Sequence, residues 1–192
     1  SSLDEWKKRL TAIFAGFLRT RPGYFQVRFI GRSDGGRELV RVNQDQGGIH
    51  VAPDGALQRK GDRPYFRHAL GLDRGEVYLS EIDLNQEHGK VAPGRTPTLR
   101  AAIPVYGPTG NVFGAIVVNE DIGRRLEALR ASLDRSFTFY LTNDRGDYLY
   151  HPDPAKIFGF DLGFTARLQR DFPDAAAAFS EAPPRDHGFD TA

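Results

Sequence analysis

Two apolar segments around a turn constrain the fold of this chain more than any other feature of its sequence. Residues 99–106 and 112–118 are rich in strand-forming side chains, and residues 107–111 between them read Gly-Pro-Thr-Gly-Asn. This pattern predicts an antiparallel hairpin. Because both strands are apolar over most of their length, we expect both faces to be covered and the hairpin to lie in the middle of a sheet.

Two polar residues interrupt this hairpin, Arg100 in the first strand and Asn119 at the end of the second. A buried Arg is costly unless a negative group pairs with it. That group can be an acidic side chain of a neighbouring strand, such as Glu76, Glu81 or Asp83, or it can be a ligand. The sequence leaves both alternatives open.

The composition excludes several classes of function. The 192 residues are 40% hydrophobic and 27% charged with a formal net charge of +1, so no general attraction to nucleic acid is expected. Without Cys, thiol catalysis and Cys-ligated metals are excluded. The His spacing fits no metal site, and GxSxG, Walker A and GxGxxG motifs are missing, so we expect no catalytic residues, metal or cofactor. Met is also missing, and we expect the chain to be part of a longer protein.

The N-terminal residues 3–18 predict an amphipathic helix that ends at Arg21-Pro22-Gly23. Ser2 and Glu5 have the spacing of a capping box. Apolar side chains recur three or four positions apart, which suits both a helix packed on its own domain and a dimer seam. They are Leu3, Trp6, Leu10, Ile13 and Phe17.

Residues 24–30 alternate apolar and polar side chains, which predicts a half-buried strand with Gln26 and Arg28 on its polar side. A turn at residues 33–36 and a strand at residues 38–42 complete a hairpin. We expect residues 43–61 to form a loop and Asp62 to cap a short helix.

A fifth strand is expected at residues 76–82, followed by a loop at residues 83–97 that could cover a pocket. Asp121 can cap a helix after the central hairpin. The overall prediction is an α+β fold, in which a long N-terminal helix precedes a PAS-like five-stranded antiparallel sheet with flanking helices. Residues 136–150 repeat the strand–turn–strand pattern, which indicates a second domain. This domain is expected to be partial, because residues 174–192 carry no strand signal.

Four segments in order and spacing resemble a Cache sensor domain. They are Arg-Pro-Tyr-Phe at residues 63–66, Glu-Val-Tyr-Leu-Ser at 76–80, Arg-Ala-Ala-Ile-Pro-Val-Tyr at 100–106 and Gly-Ala-Ile-Val-Val-Asn at 114–119. The start of a second sensor fold after a helix resembles the double-Cache arrangement.

The resemblance implies the periplasmic, non-catalytic sensor domain of an inner-membrane receptor with flanking transmembrane helices and a homodimer contact through the N-terminal helix. A histidine kinase is the expected output module; a diguanylate cyclase, a chemoreceptor or a ligand-free dimerisation module are the alternatives. A small hydrolase or lyase is a third class, for which the sequence offers no general base. The implied domains are residues 1–22 (stalk helix), 23–121 (membrane-distal ligand-binding domain), 122–135 (connecting helix) and 136–192 (incomplete membrane-proximal domain).

The same resemblance implies a ligand site. The amino-acid-binding subtype carries Tyr where this chain has Gln58 and Asp where it has Asn119, so we expect a ligand other than an amino acid. Because Arg binds carboxylates bidentately, we predict a small organic carboxylate. The predicted ligand-binding residues are Arg63, Tyr65, Arg67, His68, Arg100 and Asn119.

Overall fold

A 17-residue helix, α1 (Leu3–Arg19), opens the chain in the computed structural model, which describes residues 2–134, 136–179 and 188–189. The Ser2 Oγ accepts a hydrogen bond from the Glu5 N–H at 3.3 Å, as the capping box predicts. The side chains of Phe14 and Leu18 are buried against the sheet. Most of the apolar face of α1 therefore packs on its own unit.

The described strands and helices follow in the order that the sequence analysis outlines, with several short additions. The strands are β1 (Tyr24–Gly31), β2 (Glu38–Asp45), β3 (Gly48–Val51), β4 (Val77–Leu79), β5 (Asp83–Leu84), β6 (Gln86–Glu87), β7 (Lys90–Val91), β8 (Pro97–Tyr106), β9 (Val112–Asp121), β10 (Leu141–Thr142), β11 (Tyr148–Tyr150) and β12 (Gly188–Phe189). The further helices are α2 (Pro64–Ala69), α3 (Gly123–Ser132), α4 (Gly159–Leu162) and α5 (Leu168–Asp171).

The described residues form two compact units. The first comprises residues 2–80, 99–120 and 188–189, and the second comprises residues 81–98, 121–134 and 136–179. This grouping places residues 81–98 in the second unit, whereas the predicted ligand-binding domain runs continuously from residue 23 to residue 121. The predicted domain boundaries stay a prediction. Residues 180–187 and 190–192 of the predicted second domain lie outside the described part of the chain.

The first unit is built on a sheet with the strand order β12-β4-β8-β9-β1-β2-β3, in which the strands differ in length. The pairs β1/β2, β1/β9, β2/β3, β4/β8 and β4/β12 are antiparallel. The central hairpin β8/β9 has β4 on one side and β1 on the other, so its predicted place in the middle of the sheet is confirmed. The predicted α+β architecture with a long N-terminal helix is also confirmed.

Three sequence predictions about irregular segments were wrong. Residues 43–61 are not one loop, because β2 continues to Asp45 and a turn at residues 46–47 leads into β3, which begins at Gly48 with φ 112°. Residues 83–97 contain three two-residue strands and belong to the second unit, where Leu84 is a buried core residue. The tail contributes β12, which pairs with β4. Five strands were therefore too few for the described sheet.

The two faces of this sheet carry different side chains. On one face, Phe14 and Leu18 of α1 pack against Val27, Phe29 and Val42. The other face is covered by α2. Its apolar part consists of Ile30, Tyr65, Phe66, Ala69, Ala102, Ala115 and Val117. The remainder of this second face is polar and is described below.

The second unit contains the predicted hairpin near residues 136–150, with β10 and β11 as its strands. The Asn143 carboxamide oxygen accepts from the backbone N–H groups of Arg145 and Asp147, at 3.0 and 2.9 Å, and shapes the turn. Leu149 and Phe158 form its core together with Leu84. In the described part of the chain, no helix is both long enough and apolar enough to cross a bilayer.

Candidate functional site

A row of polar side chains lies on the sheet face that α2 covers. Gln26 is opposite Asn43 and Arg28 is opposite Arg41 in the β1/β2 register, and Gln26 is opposite Asn119 in the β1/β9 register. Residues two apart in a strand point to the same face. The register therefore brings these five side chains, from three neighbouring strands, onto one face.

Arg28 of this row forms a buried ion pair with Glu38. The exposed fraction of Arg28 is 2% and that of Glu38 is 0%. Arg28 Nη1 donates to Glu38 Oε1 at 3.2 Å, while Glu38 Oε2 accepts from Arg41 Nη1 at 3.1 Å and from the Gln58 N–H at 2.9 Å. One carboxylate therefore holds two guanidiniums and a backbone amide, which compensates the cost of its burial.

A chain of side-chain amides continues from Arg28. Arg28 Nη2 donates to Asn119 Oδ1 at 2.9 Å, Asn119 Nδ2 donates to Gln26 Oε1 at 3.2 Å, and Gln26 Nε2 donates to Asn43 Oδ1 at 2.8 Å. Within this series of hydrogen bonds, Asn119 and Gln26 each accept one bond and donate one, and Asn43 is the final acceptor. The chain therefore holds the oxygen of Asn119 towards Arg28.

Three guanidiniums lie near the ring of Tyr65. Their central carbons lie 5.4 Å (Arg100), 5.6 Å (Arg28) and 6.0 Å (Arg63) from the ring centroid. Arg100 and Tyr65 are 2% and 4% exposed, and Arg63 is half-buried. We call Arg28, Arg63, Arg100 and Tyr65 the guanidinium cluster. Such distances allow cation–π attraction between each guanidinium and the ring.

The start of α2 places Arg63 and Tyr65 in this cluster. Arg63 is the N-cap residue of α2, with extended backbone (φ −74°, ψ 133°), and Pro64 follows in the first turn. The prediction that Asp62 caps this helix was therefore wrong by one residue. Since α2 turns Tyr65, Phe66 and Ala69 towards the sheet, the phenol ring is buried between helix and strands.

Arg100 reaches the cluster from β8. Along this strand Thr98, Arg100 and Ala102 are buried at alternate positions. The Arg100 backbone is fixed next to β4, because its N–H donates to Ser80 Oγ at 3.0 Å and its carbonyl accepts from the Ser80 N–H at 2.9 Å. Two strands therefore hold the backbone from which this guanidinium extends.

The predicted site residues are brought together only in part. Arg63, Tyr65 and Arg100 meet in the cluster, and Asn119 joins them through Arg28. Arg67 is exposed and its Nε donates to the Gly61 carbonyl at 3.3 Å, and the exposed His68 ring stacks on Tyr78 with centroids 4.7 Å apart. That any of the six binds a ligand stays a prediction.

Sequence reasoning missed the polar residues of the first hairpin. Gln26 and Arg28 were expected on the polar side of a half-buried strand, but they are 4% and 2% exposed. The expectation was wrong because α2 covers this side, with Tyr65 close to Arg28, and because Asn119 and Glu38 accept hydrogen bonds from the buried Arg28 guanidinium. The signal was present as matching polar positions in both arms of the hairpin. The residues missed are Gln26, Arg28, Glu38, Arg41 and Asn43.

The chemistry of the cluster is that of anion recognition. Guanidiniums are planar, permanently charged and able to bind carboxylates through two parallel hydrogen bonds. Burial strengthens such bonds by removing competing water. Among the described residues, no group of three or more His, Asp or Glu side chains has the arrangement of a metal site.

Several solved structures have a similar fold. The structure resembles a domain of a sensory box/GGDEF family protein from Vibrio parahaemolyticus (TM-score 0.75, 24% identity, 94% of this chain and 69% of that chain). It also resembles the extracellular domain of the histidine kinase vpHK1S-Z8 (TM-score 0.72, 24% identity, 91% and 63%). A third similar structure is the ligand-binding domain of the Campylobacter jejuni chemoreceptor Tlp3 in complex with L-norvaline (TM-score 0.57, 11% identity, 79% and 55%).

The chain belongs to the family described as the sensor domain of bacterial histidine kinases, whose model matches residues 2–183. It is therefore a non-catalytic sensor domain, and the predicted resemblance to the sensor domains of receptors is confirmed. The chain spans between about half and about two thirds of the length of the solved chains named above. A comparison with curated protein sequences found no match.

Proposed function

We propose that this sensor domain binds a small organic carboxylate at the guanidinium cluster and passes the signal to a histidine kinase across a bacterial inner membrane. The observation that supports this ligand class is the convergence of Arg28, Arg63 and Arg100 on the Tyr65 ring within 6.0 Å. Because a guanidinium matches a carboxylate in shape and charge, such a cluster favours carboxylates over neutral ligands.

The ligand we favour has no ammonium group. An ammonium group in a covered site needs a negative or strongly accepting partner. Asn119 is uncharged and its Oδ1 accepts from Arg28, whereas the carboxylate of Glu38 accepts three hydrogen bonds from within the protein. The similar chemoreceptor domain holds the amino acid L-norvaline, so an amino acid is the competing ligand class.

Signal transmission would follow from the position of α1 and the site on opposite faces of the same strands. Arg28 of β1 faces the cluster, while Val27 and Phe29 of β1 pack against α1. A ligand that binds better to a closed form of the cluster than to an open form shifts the population towards the closed form. A small displacement of β1 then moves α1, which we place at the end of the stalk that leads to the membrane.

Calorimetric titration with acetate, succinate, citrate and L-norvaline tests the ligand class. We expect a di- or tricarboxylate to bind more tightly than L-norvaline, and Arg100→Ala to weaken that binding at least about tenfold, since hydrogen bonds to charged groups are worth 1.5–3 kcal/mol. Arg124→Ala removes an exposed Arg of α3 and serves as the control. Binding that Arg100→Ala leaves unchanged would contradict the role of Arg100, and failure of all three carboxylates to bind would contradict the ligand class.

A second candidate function is dimerisation without a ligand. Leu3 and Ile13 of α1 are 59% and 64% exposed, which supports a homodimer through this helix. Sedimentation of the unmodified chain and of Ile13→Ser tests the contact. A dimer that Ile13→Ser dissociates, together with failure of the carboxylates to bind, would favour the dimerisation module over the sensor of a carboxylate.

The second unit is proposed to be a partial PAS-like, membrane-proximal domain that α3 connects to the first. The β10/β11 hairpin and the buried Leu149 and Phe158 support this proposal. The similar GGDEF family protein makes a diguanylate cyclase the alternative output module. Sequencing of the gene on both sides of this segment would distinguish a kinase, a cyclase and a chemoreceptor, and would show the flanking transmembrane helices that we expect.

A further inference from the structure

We propose that Arg28 is a further ligand-contacting residue of the carboxylate site, and that Glu38 and Asn119 are positioning residues that hold its guanidinium towards Tyr65. This inference rests on the proposed function. It concerns residues of the first hairpin that the sequence motifs of the sensor domain do not include.

The position of Arg28 matches that of Arg100. Both guanidinium carbons lie close to the Tyr65 ring, at 5.6 and 5.4 Å, and both residues are 2% exposed. Arg28 extends from β1 and Arg100 from β8, and β9 runs between these two strands. The two guanidiniums therefore approach the same ring from strands that are not neighbours.

The hydrogen bonds of Arg28 fix the orientation of its guanidinium. Nη1 donates to Glu38 Oε1 at 3.2 Å and Nη2 donates to Asn119 Oδ1 at 2.9 Å. A guanidinium has five N–H donors in a rigid plane, so it can bind several acceptors at once. Side chains held in this way bind a ligand with less loss of conformational entropy.

Arg41 provides a matched comparison. Its Nη1 donates to the other oxygen of Glu38 at 3.1 Å, nearly the distance of the Arg28 bond, but its Nη2 donates to the Ala56 carbonyl at 3.0 Å. Arg41 thus shares the Glu38 carboxylate with Arg28 and is similarly buried, at 8% exposed, but its guanidinium extends towards Ala56. If both Arg residues had only a structural role, replacing either one should change carboxylate binding to the same extent. If Arg28 contacts the ligand, replacing Arg28 should weaken binding more than replacing Arg41.

The test compares Arg28→Lys and Arg41→Lys by thermal unfolding and by calorimetric titration with citrate and succinate. We expect both variants to lose a similar amount of stability. Arg28→Lys should weaken carboxylate binding by about tenfold or more, and Arg41→Lys should change it less than about threefold. Glu38→Gln should weaken binding by an intermediate factor, because it loosens the guanidinium without removing it.

A crystal structure of the unmodified chain with citrate provides a second measurement that does not depend on the folding of a variant. We expect a citrate carboxylate oxygen within hydrogen-bond distance of the Arg28 guanidinium. Citrate that contacts Arg63 and Arg100 but not Arg28, or equal weakening by Arg28→Lys and Arg41→Lys, would overturn the inference and leave the proposed function standing. Failure of every carboxylate to bind the unmodified chain would overturn both.

Discussion

Arg28 Nη1 and Glu38 Oε1 lie 3.2 Å apart on a sheet face where Glu38 is fully buried and Arg28 is 2% exposed. An ion pair that is removed from water is costly to form, but it becomes far more costly to break once the rest of the fold has enclosed it. The stability of the first unit and the geometry of the candidate site therefore depend on the same ion pair.

Glu38→Ala should destabilise the first unit by about 3–5 kcal/mol, because it leaves Arg28 and Arg41 buried without their shared carboxylate. Urea unfolding measures the change. Glu127→Ala removes an exposed carboxylate of α3 and should stay within about 0.5 kcal/mol of the unmodified chain. A Glu38→Ala variant as stable as this control would show that the ion pair contributes nothing.

Gly114→Ala should destabilise the centre of the sheet by about 1–3 kcal/mol or more. A Cβ atom at Gly114 would overlap the carbonyl oxygen of Ile30 and would lie 2.8 Å from Phe29 Cζ, so the strands would have to separate. Gly16 is the matched control, because a Cβ atom there meets nothing within 4 Å. Since Ala is the better helix former, Gly16→Ala in α1 should stabilise the chain by about 0.5–1 kcal/mol. Thermal unfolding should therefore show changes of opposite sign.

Acid should weaken the second unit through Asp147. Burial by itself would raise the pKa of this carboxyl, but hydrogen bonds from Arg167, Asn143 and Arg145 outweigh burial and leave the pKa below its ordinary value. A pKa lowered by folding means that the stabilisation is present above the unfolded-state pKa of about 3.9 and is lost as the pH falls through the folded-state pKa.

Asp147→Asn should accordingly lower the free energy of unfolding by about 1–2 kcal/mol at pH 7. This value is at the low end of the range for charged hydrogen bonds, because Arg145 and Arg167 are half-exposed. The difference between variant and unmodified chain should shrink between about pH 5 and pH 3. Urea unfolding at four pH values in this range measures it. Asp144→Asn, an exposed neighbour in the same turn, is the control. A difference that does not change with pH would contradict the ionic role of Asp147.

Asn119→Asp should weaken carboxylate binding at least about tenfold, because a negative charge beside Arg28 opposes a second anion in the same cluster. Asn43→Asp places the same charge at the far end of the amide chain, with Gln26 between it and Asn119, and should have a smaller effect. Calorimetric titration with citrate compares the two variants. Equal weakening would indicate that the amide chain matters as a whole and that the charge beside Arg28 does not.

Local sequence patterns predicted the regular elements well. Ser2 and Glu5 predicted the start of α1, and Gly107 to Asn111 predicted the turn of the central hairpin, whose Gly107 N–H donates to the Asn111 carbonyl at 2.8 Å. These signals depend on residues that are close in the chain. The short strands β3, β5 and β12 were missed, since two to four residues carry too little periodicity to predict a strand.

The candidate site also has a part that local sequence patterns predict and a part that they do not. The sequence by itself determined that Arg100 lies in a central strand and that Arg63 and Tyr65 begin a short helix, because turn residues, alternation and helix-start signals are local. Only the tertiary structure decided that Arg28 and Glu38 are buried, because α2, which begins 26 residues after Glu38, covers the polar side of β1. Burial depends on which surface packs against a strand, and the alternation within β1 alone does not predict that surface.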